Sequence, residues 1–427
     1  MPSSADNESP AEVPAERTRI PLRKFVYAAL VVLYAIPVAL FALTTAGLGP
    51  MAKTAVVICG VLALATAYYL IFNYRPNPLT ERKLRNFYAI KRGYNSFLII
   101  LFLLMITFFG VGELLVNSRA LLVKYEGKLY MPVFGAFHPG NDFGLDYNNE
   151  TNYRELKRGF EAAGEGNWVV MPIVPYNPYE NDYRQREDGK QINHPAPPSF
   201  SQKHFLGTDN TARDIFARLF YGFRTAMIFA LLFLACIYLI GIAVGCAMGY
   251  FGGKFDLIVQ RLVEIWSNIP FLYIVIIVAS ILRPTFGILL GIFVVFSWTN
   301  MTYYMRTATY REKERDYTAA ARVLGASTPR IIFTHIMPNT ISTIVTFMPF
   351  TIVGAISSLT ALDFLGFGVP PPTPSWGELL KRGLDNLNSP WIVTSAFGGL
   401  VIVLVLITFI GEAIREAFDP KKFTTYE

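Results

Sequence analysis

The sequence predicts an all-α polytopic membrane protein with a small polar domain set between two of its spans. Three observations carry this. Of 427 residues, 53% are hydrophobic and only 16% are charged, a balance too apolar for a water-soluble chain of this length. Eight segments, at about 25–47, 53–73, 97–116, 224–250, 258–282, 286–306, 338–362 and 392–414, are long and apolar enough to cross a bilayer as helices. The Lys and Arg residues lie beside these segments, so the net charge of +7 reflects loop bias. A nucleic-acid partner is not expected, since that would need a solvated basic domain.

In chain order, residues 1–24 are a polar tail. The first apolar stretch begins late and is long, so no cleaved signal peptide is expected. Residues 25–73 form a transmembrane hairpin around the turn "TTAGLGPMAK". The loop 74–96 falls within "NYRPNPLTERKLRNFYAIKRGYN", which carries six basic residues against one acid; that bias places it in the cytoplasm. The segment from Arg306 to Arg330 also carries six basic residues and belongs on the same side. Eight spans then leave both termini cytoplasmic, in agreement with the closing "DPKK".

After the span at 97–116, residues 117–215 fall on the external side. They hold eleven Lys or Arg and thirteen Asp or Glu, and long loops translocate largely regardless of charge. Low net charge and frequent aromatics predict a small, partly ordered domain rather than disorder, with a few short strands in runs such as "KLYMPVFGAF". Residues 216–427 carry the remaining spans. Cys59, Cys236 and Cys246 all lie inside apolar spans, so the external loop has no disulfide framework.

Within the spans, "GIAVGCAMG" sets Gly241, Gly245 and Gly249 on one helix face, and "GILLG" repeats the interval at Gly287 and Gly291. Small residues at this spacing let two membrane helices approach closely. Pro270 and Pro349 lie inside spans and are expected to kink them. Arg261 and Glu264 stand three apart and are expected to pair over one helical turn, as a structural pair or as part of a pathway.

No segment forms a phosphate-binding loop; "GYFGGKFD" lacks both the spacing and the hydroxyl residue. His138, His194, His204 and His335 are scattered without ligand-spaced partners. No hydrolase motif is present. The expectation is a chain with no catalytic, cofactor or metal site.

One stretch stands apart. In "DYTAAARVLGASTPRIIFTHIMPN", Thr318 to Leu324 is a good helix former. Ala319, Ala320 and Ala321 would let a partner approach closely, and Gly325 can end the helix or act as a hinge. A second short helix would start at Pro329, with Pro338 bending the chain toward the membrane. Such a pair is either an interfacial amphipathic element or a socket for another protein.

This stretch resembles the coupling motif of ABC importer permeases, whose pattern is Glu-Ala-Ala, then Gly, then Leu-Pro. Ala320 and Ala321 match the alanines, Gly325 the glycine and Met337-Pro338 the final pair. Ala319 stands where the family usually has Glu, and Arg322 lies inside the motif. The segments "HFLGTDNTARDIFARLFYGFRTAMIFAL", "GYFGGKFDLIVQRLVEIWSNIPFLY", "DFLGFGVPPPTPSWGELL" and "GEAIREAFDPK" look like the C-type permease of dipeptide and oligopeptide importers, over roughly 203–422. "RALLVKYEGKLYMPVF" and "MPIVPYNPY" resemble its Yej-type branch, associated with peptide and microcin C uptake.

The resemblance implies a six-helix permease core in the inner membrane, preceded by the extra hairpin and driven through coupling helices at 316–337. It implies a second permease subunit, ATPase subunits that carry ATP and Mg, an external peptide-binding protein, and membrane lipid around the spans. The alternative is an ion-coupled secondary transporter or channel. That would need mid-membrane charges, and 286–305 and 338–362 contain no charged residue.

Overall fold

A computed structural model of the protein describes residues 78–108, 111–134, 137–164, 166–183, 194–282 and 284–418. The tail 1–24, the hairpin 25–73 and the closing "DPKK" lie outside the described residues.

The described chain begins with α1 (Pro78–Ala89) and α2 (Lys91–Phe108). The second helix starts earlier than its apolar run suggests. Gly93 explains this: a Cβ there would lie 2.0 Å from the Ala413 Cβ, so the glycine lets the basic end of α2 pack directly on the last helix. A short helix, α3 (Val111–Leu115), leads into the insert.

The insert is built from β1 (Leu122–Tyr125), β2 (Lys128–Tyr130), α4 (Tyr153–Ala163) and β3 (Trp168–Val170). The sheet is antiparallel in the order β2-β1-β3. Glu126 and Gly127, both with positive φ, form the two-residue turn that suits a hairpin's twist. Ala120, Val123, Phe143, Tyr153, Leu156 and Val169 make a core of its own. A second small cluster, with Val116, Val174, Tyr176 and Ala217, joins it to the next helix.

That helix, α5 (Ile215–Phe251), has 37 residues. It begins well before the apolar run near 224, because Asp214 caps it by accepting the Ala217 N–H at 2.7 Å and its first turns are buried beside the insert. Gly252 and Gly253, both at positive φ, turn the chain into α6 (Gly253–Ser267). α6 and α7 (Phe271–Ile281) form a broken span bent by 66°. The break falls at Pro270, whose ring cannot continue a helix.

α8 (Phe286–Ser297) runs through Trp298 into α9 (Thr299–Lys313), making one 28-residue helix. After α10 (Asp316–Val323) comes a 38-residue helix. It consists of α11 (Thr328–Arg330), a π-helical stretch Ile331–Ile336 and α12 (Met337–Leu365). The helix continues through Pro349. α13 (Trp376–Asp385) and α14 (Pro390–Phe418) complete the fold. Among the described residues, five helices are long and apolar enough to span a membrane, and the bent pair makes six.

One contact sets the arrangement of these helices. A Cβ on Gly241 would meet the Trp298 carbonyl at 2.9 Å, one on Gly245 the Thr302 carbonyl at 2.5 Å, and one on Gly249 the Arg306 carbonyl at 2.7 Å. Each step of four along α5 is matched by a step of four along α9, so the two run parallel with their backbones touching. Gly287 and Gly291 share the spacing, but among the described residues nothing lies within 4 Å of a Cβ placed on either.

Gly245→Leu should therefore force α5 and α9 apart at an overpacking cost of about 1–3 kcal/mol. Thermal unfolding in detergent should show a clear fall in Tm, and Gly291→Ala should leave it unchanged or slightly raised.

Candidate coupling site

α10 follows α9 after two residues and is fastened at both ends. At its start the Thr318 hydroxyl donates to the Glu312 carbonyl at 2.8 Å, and the Tyr317 hydroxyl to Glu312 Oε2 at 2.7 Å. Asp316 sits in the first turn, where a carboxylate complements the helix dipole. At its end the Ala326 N–H donates to the Ala321 carbonyl and the Gly325 N–H to the Arg322 carbonyl, both at 3.0 Å. That bond pattern needs a left-handed residue, and Gly325 supplies it at φ +80°. Gly325 is thus the helix stop.

The two faces of α10 differ sharply. Thr318 and Ala321 are buried, and Ala321 packs with Ile331, Ile336, Tyr250 and Ala326. The expectation that all three alanines face a partner is corrected here. Ala319 and Ala320 are exposed, and Ala321, a further 100° around the helix, points inward. Arg322 is exposed, with its guanidinium 5.8 Å from the Tyr250 ring centre. Beyond it Val323 and Leu324 are 87% and 85% exposed. The outer surface is therefore two small residues, one cation and two uncovered aliphatic side chains, ending at Gly325.

The second half of the motif also departs from expectation. It is no separate angled helix but the first turns of the α11–α12 span. The π stretch lies just before Pro338. The proline ring would clash with the carbonyl one turn earlier and offers it no N–H, and a widened turn relieves both problems. Pro338 itself is exposed in the first turn of α12.

Tyr250 ties this site to the membrane helices, because it is the residue after Gly249. Close by, Asp256 at the start of α6 accepts Arg306 Nε at 2.5 Å and Nη2 at 2.6 Å, and the Tyr310 hydroxyl at 2.7 Å. This two-pronged pair fastens α6 to α9. It was missed in the sequence, where Asp256 and Arg306 are fifty residues apart; their one signal is that both are ionisable residues at the ends of apolar runs. Arg261 and Glu264 do pair, at 2.6 Å on α6. Their side chains are exposed, and the Gln260 amide also donates to Glu264 at 3.0 Å.

At the other end of α5 a larger ionic group joins three elements. Glu378 of α13 is paired with Arg213, Arg218 and Arg382. Arg218 is fully buried and also donates to the Pro178 carbonyl at 3.1 Å. Asp209 accepts Arg213 Nε at 3.0 Å. Burial, the largest influence, opposes its charge, but Arg213, Thr211 and Arg382 together outweigh it and hold Asp209 below the usual carboxylate range. Ser375, which caps α13, also donates to Asp363 at the end of α12. The motif "DFLGFGVPPPTPSWGELL" thus folds into a clamp over the head of α5.

Residues 237–424 match the family model described as "Binding-protein-dependent transport system inner membrane component". The chain is 38% identical over 364 residues to the peptidoglycan transport system permease protein YejE of Agrobacterium fabrum, covering 81% of this chain and 94% of that one. It is 37% identical over 353 residues to the inner membrane ABC transporter permease protein YejE of Escherichia coli, covering 82% and 99%. It is 36% identical over 223 residues to the dipeptide transport system permease protein DppC of Haemophilus influenzae, covering 51% and 74%. With that identity sustained over nearly the whole of two relatives, the chain belongs to the family of binding-protein-dependent inner membrane transport components: it is an ABC importer permease, a transport subunit and not an enzyme.

Proposed function

We propose that this permease carries peptides or peptide-like compounds across the inner membrane, and that α10 is the socket through which ATP hydrolysis on partner subunits moves its helices. The observation that supports this best is the split face of α10. One side is locked to Tyr250 and the π stretch, while the other presents Val323 and Leu324 uncovered. Fully burying such a side chain is worth about 1.5–3 kcal/mol, so a partner groove that takes both has a firm grip on a rigid lever. The substrate class follows from the peptidoglycan, dipeptide and oligopeptide transport named for the relatives.

In this reading the Gly325 end of α10 faces the cytoplasm, both termini lie on that side, and the 117–215 domain faces outward to help receive a peptide-binding protein. The partners are a second permease subunit and ATPase subunits that hold ATP and Mg. A push on α10 reaches Tyr250, then the glycine seam, and α5 and α9 move together. The broken span at Pro270 and the ends of α12 then change their opening.

Three substitutions test the socket. Leu324→Glu should weaken recovery of the ATPase subunit with the tagged permease by at least about tenfold, with membrane insertion unchanged. Gly325→Val should cost about 1–2 kcal/mol in left-handed backbone strain and sharply lower uptake. Gly325→Asp is tolerated better in that backbone, but puts a charge on the docking face; it should reduce uptake at normal protein level. Normal peptide uptake in all three variants at wild-type abundance would exclude α10 as the coupling element.

A further inference from the structure

α1 lies against the membrane helices without being one of them. It has 12 residues, too few to cross a bilayer, and only Ile90 separates it from the spanning helix α2. Two contacts hold this corner to the end of α14. Lys83 Nζ lies 4.6 Å from the centre of the Phe418 ring, and Arg92, at the start of α2, reaches Glu412 and Glu416 at 3.6 and 3.8 Å. α1 therefore sits at the depth where α2 and α14 leave the hydrocarbon.

The exposed part of α1 is divided. Leu84 and Tyr88, one turn apart, are 44% and 46% exposed, whereas Phe87 rests on Phe97 of α2, with ring centres 6.1 Å apart. Further around the helix stand Arg85 and Arg82, also exposed. Tyr88 meets Tyr94 edge to face at 5.3 Å, and apolar exposure resumes on α2 at Phe97, Leu98 and Ile99. From Glu81 to Arg92 there are five Lys or Arg and one acid. Arg92 is paired, but Arg85 and Lys91, both exposed, take part in no ion pair among the described residues.

We propose that α1 is a docking surface for acidic phospholipid: it lies flat in the interface, with Leu84 and Tyr88 against the acyl chains and Arg85 and Lys91 on the phosphates. Charge and shape both favour this occupant. A helix with an uncovered apolar side next to a basic one is held in the interface by both, and each Lys or Arg near an anionic surface strengthens the attraction about fivefold. Tyrosine suits that depth, since its ring is apolar and its hydroxyl reaches the headgroups. A zwitterionic lipid would accept the apolar side but offer the two cations no net charge. Which leaflet is used rests on the cytoplasmic placement expected for residues 74–96; the lipid contact itself does not.

Hydrogen–deuterium exchange of the full chain tests this, in nanodiscs of phosphatidylcholine alone and of phosphatidylcholine mixed equally with phosphatidylglycerol. The peptide from Arg82 to Tyr94 is the reporter. Its protection should be about tenfold higher in the acidic nanodiscs, while the peptide holding Gly241 to Gly249 is the same in both. Raising the salt to about 0.5 M should shrink the difference. Arg85→Gln with Lys91→Gln should remove most of it, and Arg85→Lys with Lys91→Arg should keep it. Equal protection of the reporter in both lipids would overturn the proposal, as expected if another segment or subunit covers this face. So would a full difference that survives Arg85→Gln with Lys91→Gln. None of these results bears on transport, so the importer reading is tested separately.

Discussion

The seam between α5 and α9 is the contact on which the rest of the protein depends. Lipid gives two apolar helices no hydrophobic reason to associate, so they are held by close packing and by polar contacts. Gly241, Gly245 and Gly249 remove the side chains that would keep the backbones apart. Because the seam is parallel and in step, it fixes the register as well as the distance. Two features follow from that register: Tyr250 arrives under α10, and Arg306 arrives at Asp256. Loss of the seam would separate α5, which carries Tyr250, from α9 and from the α10 that follows it.

The opposite end of α5 is held by charge. Arg218 is buried, which would be costly for an unpaired cation, yet Glu378 and the Pro178 carbonyl receive it. α13 is thereby fixed over α5 by side chains, whereas α9 is fixed to it by backbone contact. α6 and α7 contrast with both. Leu262, Ile265, Tyr273, Ile277 and Ile281 are exposed there, and the pair is bent at Pro270. Their apolar faces are open, while Asp256 and Trp266 tie α6 to the α8–α9 helix.

Much of this was legible in the sequence where the membrane dictates it. Apolar runs long enough to span must be helical, since lipid offers no other partner for the backbone, and the glycine triplet could be read from its interval. The same interval at Gly287 and Gly291 marks no contact among the described residues, because spacing reports the capacity to pack and says nothing of a neighbour. Helix ends were less legible. α5 starts at Ile215 because of Asp214 and the insert packed beside it, features outside the apolar run. Ala321 could not be told from Ala320 by composition, as facing is decided by Ile331 and Ile336 after the next turn. Asp256 and Arg306 are far apart in the chain; only the folded backbone brings them together.

The central claim is that α10, α5 and α9 move as one body when ATP is bound elsewhere in the importer. Spin-label distance measurements in the assembled transporter, with and without a non-hydrolysable ATP analogue, test it most directly. Labels would be placed at Val323 on α10, Phe251 at the end of α5 and Glu412 on α14, all exposed positions. The expected result is an unchanged distance distribution between 323 and 251, with a clear shift between 323 and 412. A shift between 323 and 251, with the distance between 251 and 412 unchanged, would mean that α10 moves alone and that the glycine seam carries no force.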